Sequence, residues 1–323
     1  MINKYKLQKE ISNVRLLYTY FFRYSFKLGF WTLIDGIAQR LKNNKLNSIA
    51  HEKRYGECKQ YIRITCKDII DKYKNIKETN EPIGNDSFVW VYWGQGFEKL
   101  PFPVENTINS IKKHCPNRKI VLLSDENLSK YVVLKDYIIK KYEDGKISRA
   151  EFSDLIRINI LKEYGGIWLD STYYFTDDLD TRISNYSFYS ICHGNKRKWV
   201  VSKDIWSISF VAIHANSKLM NFVCDVYDRY WKEEDTLIGY LLTDCIMAIA
   251  YEEYEDIREM MDAVPTNNLG IFYFLEPIAN EACSYDAYKS IMADTYIHKL
   301  TYKMNYRIEI DGRKTYIGWL LNE

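Results

Sequence analysis

The chain of 323 residues lacks the features that mark several large protein classes. Its seven cysteines (58, 66, 115, 192, 224, 245 and 283) are scattered, odd in number and include no Cys-x-x-Cys pair. A disulfide framework and a zinc site are therefore not predicted. Glycine and proline are scarce, 14 and 6 copies, which excludes collagenous and low-complexity chains. The first apolar stretch, Leu16 to Ile34, is broken by Arg23 and Lys27 and has no small-residue cleavage site, so neither a transmembrane helix nor a signal peptide is predicted. No Gly-x-Gly-x-x-Gly follows a predicted strand, and Gly94-Gln95-Gly96 alone is weak support for a nicotinamide-dependent oxidoreductase.

What is present describes a globular protein: 47% hydrophobic and 27% charged residues, with length for one large α/β domain and an appendage, or for two modest domains. Twenty-eight tyrosines and eight tryptophans suit wet, partly apolar grooves that hold sugars or nucleobases. The net charge of +2 hides a polarised chain. Residues 1–78 carry 17 Lys/Arg against 7 Asp/Glu, net +10, and the remainder carries 28 against 36, net −8. Such a leader suits an anionic bilayer surface or an acidic partner, whereas the acidic remainder argues against nucleic acid. The expected location is cytoplasmic, peripheral at the inner face of the plasma membrane.

From Asn13 to Leu46 apolar residues, among them Val14, Tyr18, Phe22, Phe26, Phe30 and Ile37, recur at steps of three and four, predicting one or two amphipathic helices in a basic leader of residues 1–80. Two readings stand side by side, a stripe packed on its own domain and an interfacial membrane helix. A polar, breaker-rich linker at residues 79–87 precedes the main domain, residues 86–323. There, strand Phe88–Trp93, a helix over 104–114 and strand Lys119–Leu123 predict an open, mostly parallel α/β sheet with flanking helices. A helix over 147–164, ended by Gly165-Gly166, leads into strand 167–169 and Asp170. Strands are further predicted at 187–192, 207–213 and 294–300, and helices at 216–232 and 236–261. Ligands of such sheets bind at the carboxyl ends of the strands.

The chemistry concentrates in Phe152-Ser-Asp-Leu-Ile-Arg157 and Tyr164-Gly-Gly-Ile-Trp-Leu-Asp-Ser-Thr172. Asp154 and Arg157 share a helical face, so a carboxylate that accepts from ring hydroxyls and a guanidinium that donates in a fixed fork project together. Asp170 at a strand end can hold a divalent cation carrying a diphosphate. An ordinary i,i+3 ion pair beside a plain helix stop accounts for the same letters. Asp244, Trp206, Trp199 and His214 are weaker candidates for an acceptor side, each equally readable as a structural residue. His51 and His114 have no partner at ligand spacing, and Cys115 and Cys192 read as small hydrophobes.

These runs, with Val91-Tyr-Trp-Gly-Gln-Gly96, Asn109-Ser-Ile111, Val121-Leu-Leu-Ser-Asp125 and Ile297-His-Lys-Leu-Thr-Tyr-Lys303, resemble the capsular polysaccharide synthesis proteins related to glycosyltransferase family 32, bacterial enzymes with a DXD-type sugar-binding region. The resemblance covers most of residues 88–303 and implies a GT-A-like fold. It also implies transfer of a hexose or N-acetylhexosamine, with retention, from a UDP-sugar to a glycan or lipid-linked glycan. It implies uracil beside Trp93, nucleotide contacts at Gln95 and Gly96, and donor-sugar contacts at Asp154 and Arg157. Asp170 falls at the ribose, metal and diphosphate, His298 at the metal, and Lys299 at the diphosphate. The family's Asp-x-Asp reads Asp170-Ser171-Thr172 here, which removes one carboxylate. The expectation is Mn²⁺ or Mg²⁺ held weakly by Asp170, the Thr172 hydroxyl, His298, diphosphate oxygens and water. A transferase descendant that binds nucleotide sugar without catalysis is the alternative, and an interaction protein dominated by its leader is a third.

Overall fold

The structure, a computed structural model, describes residues 14–179, 181–194, 197 and 199–322. The first thirteen residues of the predicted leader lie outside the described residues. Helices α1 (Phe26–Arg40) and α2 (Asn44–Thr65) form a hairpin, preceded by a π-helical turn, Tyr20–Tyr24. Ser25 and Asn43 start the two helices by accepting from the backbone N–H groups of Leu28 and Leu46. The hairpin does not stand apart: Tyr20, Leu28, Tyr55, Cys58 and Ile62 are buried in the same apolar cluster as the sheet. Residues 79–87 contain no helix or strand, yet Ile83 is buried and its N–H donates to the Tyr186 carbonyl.

The central sheet runs in the order β2 (Ile120–Leu123), β1 (Val89–Tyr92), β3 (Gly166–Asp170), β6 (Phe210–Ile213), β5 (Phe188–Ser190). The first three strands are parallel, β6 runs antiparallel to β3, and β5 runs antiparallel to β6. All four residues of β1 are buried, as expected of a strand covered on both faces. Helix α3 (Val104–His114) connects β1 to β2. The register aligns Tyr92 with Leu123 and with Asp170, so three strand ends open at one level.

Helix α4 (Arg149–Tyr164) begins with a capping box between Ser148 and Glu151. Gly165 (φ 62°) and Gly166 (φ 94°) reverse the chain into β3, and a Cβ on them would meet the Ala215 nitrogen at 2.4 Å and the Phe88 oxygen at 2.5 Å. The double glycine is thus a close contact of helix, turn and sheet as well as a helix stop. Geometry then fixes what meets. Eleven helical residues back from Gly165 to Asp154 span ~16 Å, and the strand from Gly166 to Asp170 spans about 13 Å, so Asp154, Arg157 and Asp170 return to a common level.

The predicted helix over 236–261 is divided. Its first segment is a loop, because Tyr24 and Tyr230 donate to the Thr236 carbonyl while Ile238 N–H donates to Tyr230 Oη, so these groups are bonded by tyrosines instead of a helical ladder. Helix α6 (Leu242–Glu253) starts after it, following α5 (Lys218–Glu233), and a further helix, Glu255–Asp262, follows an extended Tyr254. The closing strand β7 (Ile297–Lys299) joins no part of the central sheet. It pairs antiparallel with β4 (Tyr173–Phe175), a strand missed from sequence, with Tyr173 opposite Lys299.

Candidate active site

A cleft of about 560 Å³ lies at the carboxyl ends of β1 and β3. Its floor is a chain of alternating charges. Asp154 Oδ1 accepts from Arg157 at 2.7 Å, Arg157 donates on to Asp170 Oδ1 at 2.9 Å, and Asp170 Oδ2 accepts from Lys299 Nζ at 2.7 Å. Trp168 Nε1 adds a 3.2 Å bond to Asp170 Oδ1, and its ring lies 5.1 Å beneath the guanidinium. Asp154 Oδ2 accepts from Thr243 on α6 at 2.9 Å.

Burial raises the Asp154 carboxyl above its usual range, with Arg157 offsetting only part. Burial also pushes Asp170 up, but Lys299 and Arg157 together outweigh it and hold that carboxyl below its ordinary value. Asp170 is the ionised anchor of two cations.

Trp93 and Gln95 line one wall, and the Trp93 ring meets Tyr302 edge-on at 5.4 Å. Gly96 supplies a left-handed turn residue (φ 84°) and does not itself line the cleft. Arg149, Tyr240, Tyr302 and Lys303 also line it and were not singled out from sequence. Arg149 donates to Asp125 at 3.0 Å, and Asp125 in turn accepts from Tyr92. Among the described lining residues, four cations (Arg149, Arg157, Lys299, Lys303) face two carboxylates (Asp154, Asp170).

Three sequence candidates lie elsewhere. Asp244 and Trp206 are buried, do not line the cleft, and bind each other through a 2.9 Å bond from Trp206 Nε1. Burial, reinforced by the charge of Asp154, pushes Asp244 up to about 6. His298 is fully buried on the opposite side of β7 from Lys299, edge-on to Phe274 at 5.3 Å. Burial depresses it to about 3, leaving a neutral ring. Successive residues of a strand point to opposite faces, so His298 and Lys299 could not both reach the cleft. Of the remaining candidates, His214 Nε2 donates to the Glu78 carboxylate at 3.1 Å, and Trp199 stands edge-on to His51 at 5.7 Å.

Residues 38–319 match the family described as capsular polysaccharide synthesis protein. The chain belongs to this family. It is also similar to two fungal proteins: "O-glycosyltransferase braB" of Annulohypoxylon truncatum, 31% identical over 103 residues, and "Glycosyltransferase afumC" of Aspergillus fumigatus, 26% identical over 117 residues. The first likeness covers 29% of this chain and 24% of the relative, the second 33% and 29%. No solved structure matches the chain.

The donor set of the cleft does not fit a protein-held divalent cation. Both Asp170 oxygens are engaged by cationic donors, Thr172 stands where a second carboxylate would, and His298 is turned away. Among the described residues no group of three His, Cys, Asp or Glu side chains is placed to hold a metal. Magnesium and manganese favour several converging hard oxygen ligands, and here cations already occupy that place.

Proposed function

We propose that the cleft transfers a glycosyl group, a hexose or N-acetylhexosamine, from a UDP-sugar to a hydroxyl of a glycan or lipid-linked glycan, with retention. The observation that carries this reading is the Asp154, Arg157, Asp170, Lys299 chain at the carboxyl ends of parallel strands, where such sheets bind nucleotides. The family match and the two glycosyltransferase relatives support it. Residues 86–323 carry the reaction, and residues 1–80 are the leader.

The donor is held from three sides. Trp93 and Tyr302 offer aromatic faces to uracil, Gln95 an amide to its polar edge, and Asp154 and Arg157 acceptor and donor atoms to the sugar hydroxyls. As the anomeric C–O bond breaks, negative charge grows on the departing diphosphate. Lys299, with Arg149 and Lys303, neutralises that charge from fixed positions, which lowers the barrier without reorganisation. Asp170 holds Lys299 and Arg157 in register for this task.

A binder without catalysis is the second reading, favoured by the full engagement of Asp170 and by Thr172. One assay separates them. The protein is screened by thermal shift against UDP-glucose, UDP-galactose and their N-acetylated counterparts, and UDP release is then followed for the donors that stabilise it. Slow UDP release even without acceptor, abolished in Asp170→Asn, is expected. Stabilisation without UDP release, with or without glycan acceptors, selects the binder; no stabilisation by any nucleotide sugar removes both.

A further inference from the structure

The leader is divided lengthwise. Tyr20, Leu28 and Ala38 are buried against the rest of the molecule, but a second apolar row faces solvent. It starts at Val14, passes through Tyr18, Phe22, Phe26 and Phe30 at steps of four, and continues at steps of three or four to Leu41. Tyr18, Phe22, Phe26 and Leu41 are 64%, 74%, 71% and 69% exposed. A soluble surface scatters such residues singly; a contiguous aromatic row does not belong in water.

Charge selects what covers it. Between residues 14 and 46 the sole acidic residue is Asp35, which is buried and paired with Arg54 at 2.9 Å. Arg15, Lys27, Arg40, Lys42 and Lys45 are exposed, so the segment's own exposed charges are of one sign; a carboxylate from outside it, Glu57 on α2, accepts from Ser25 at 3.2 Å. Two copies of this face would repel each other. A bilayer interface carrying anionic headgroups accepts rings and cations together. No helix among the described residues is long and apolar enough to cross a membrane.

We propose that residues 14–41 form an in-plane anchor that docks the protein on a bilayer surface containing anionic phospholipids. The anchor is tied to the cleft. Arg23 pairs with Glu234 at 2.9 Å, Tyr61 donates to the same carboxylate, and Tyr20 donates to the Leu237 carbonyl, gripping the loop that carries Tyr240 into the cleft wall. The docking claim does not depend on the transferase reading; only its benefit, presenting the cleft to a lipid-linked acceptor, does.

The test is co-sedimentation of the full chain with vesicles of phosphatidylcholine alone and of phosphatidylcholine mixed with phosphatidylglycerol, at low and high salt. Wild-type protein is expected to bind the anionic vesicles at least ~10-fold more tightly than the neutral ones, and less tightly as salt rises. The triple variant Phe22→Ser, Phe26→Ser, Phe30→Ser should lose at least ~10-fold in vesicle affinity while keeping its melting temperature and its affinity for UDP, since the rings are solvent-exposed. Lys27→Glu with Arg40→Glu should weaken anionic binding alone. Absence of binding to either vesicle, or triple-variant binding equal to wild type, overturns the proposal. So does a concentration-dependent dimer in sedimentation velocity that the triple variant abolishes, because the row would then cover a second copy.

Discussion

The cleft and the leader break the usual partition of polar and apolar groups in opposite directions. In the cleft, charged groups are withdrawn from water: Arg157 is only 4% exposed, and its charge is matched on both sides by Asp154 and Asp170. On the leader, large apolar groups stand in water with nothing described to cover them. Buried charge is tolerated because every member finds an opposite partner, and unpairing one costs about 3–5 kcal/mol. Exposed rings have no such internal remedy, so their compensation has to come from outside the chain. The comparison teaches where each region takes its ligand: the cleft inserts an anion among cations already in place, and the leader adds a surface.

The largest effect should come from breaking the matched chain at its centre. Asp170→Ala leaves Arg157 and Lys299 without their shared carboxylate, and transfer from a UDP-sugar should fall by about 10²–10³. Steady-state UDP release checks this, with vesicle binding as the internal control. Full turnover in a folded Asp170→Ala protein would place the chemistry outside this cleft.

Next, Arg157→Lys replaces a planar fork that spans two carboxylates by a point charge that can reach one. A loss of about 10–100-fold in transfer is expected, with UDP affinity changed much less, because Arg157 is assigned to the sugar. Equal losses for UDP and UDP-sugar would reduce Arg157 to a structural ion pair.

Asp244 sharpens the contrast between matched and unmatched charge, since its carboxyl is buried beside Asp154 and is raised to about 6. Its folded pKa lies above the unfolded value, so the folded state binds the extra proton and stability is lost as pH rises from about 4 to 6. Asp244→Asn still accepts from Trp206, and it should flatten that fall by on the order of 2–3 kcal/mol. Chemical denaturation at pH 4, 5, 6 and 7 reads the slope. Identical slopes in both proteins would mean the carboxylate is not penalised.

The smallest effect is expected at His298. His298→Phe keeps a ring against Phe274, and neither transfer nor its response to Mn²⁺ should change. A shifted metal titration would return this residue to the cleft.

Much of this was legible in sequence because it is local. The spacing Asp154 to Arg157, the double glycine and the strand ending at Asp170 lie within seventeen consecutive letters, and rise per residue brings their side chains to one level. The motif that points to Lys299 puts His298 on the same side, although strand alternation forbids it. Arg149, in the first turn of α4, and Tyr240, Tyr302 and Lys303, on loops, carry no spacing signal of their own, and tertiary packing brings them to the cleft. The leader's apolar row was visible at helical spacing. That this row faces outward was not, because the core contacts fall to Tyr20 and Leu28, off the row, and only tertiary packing decides which side is covered.

The central claim is that side-chain cations of the cleft, Lys299 foremost, hold the donor's diphosphate. Calorimetric titration of uridine and UDP into wild-type protein and Lys299→Ala, all in EDTA, tests it most directly. Wild-type protein should bind UDP without metal and more tightly than uridine. Lys299→Ala should lose about 10–100-fold for UDP, as expected for a charged hydrogen bond, and little for uridine. UDP binding that appears only when Mn²⁺ is restored, or equal UDP affinity in the two proteins, would contradict it.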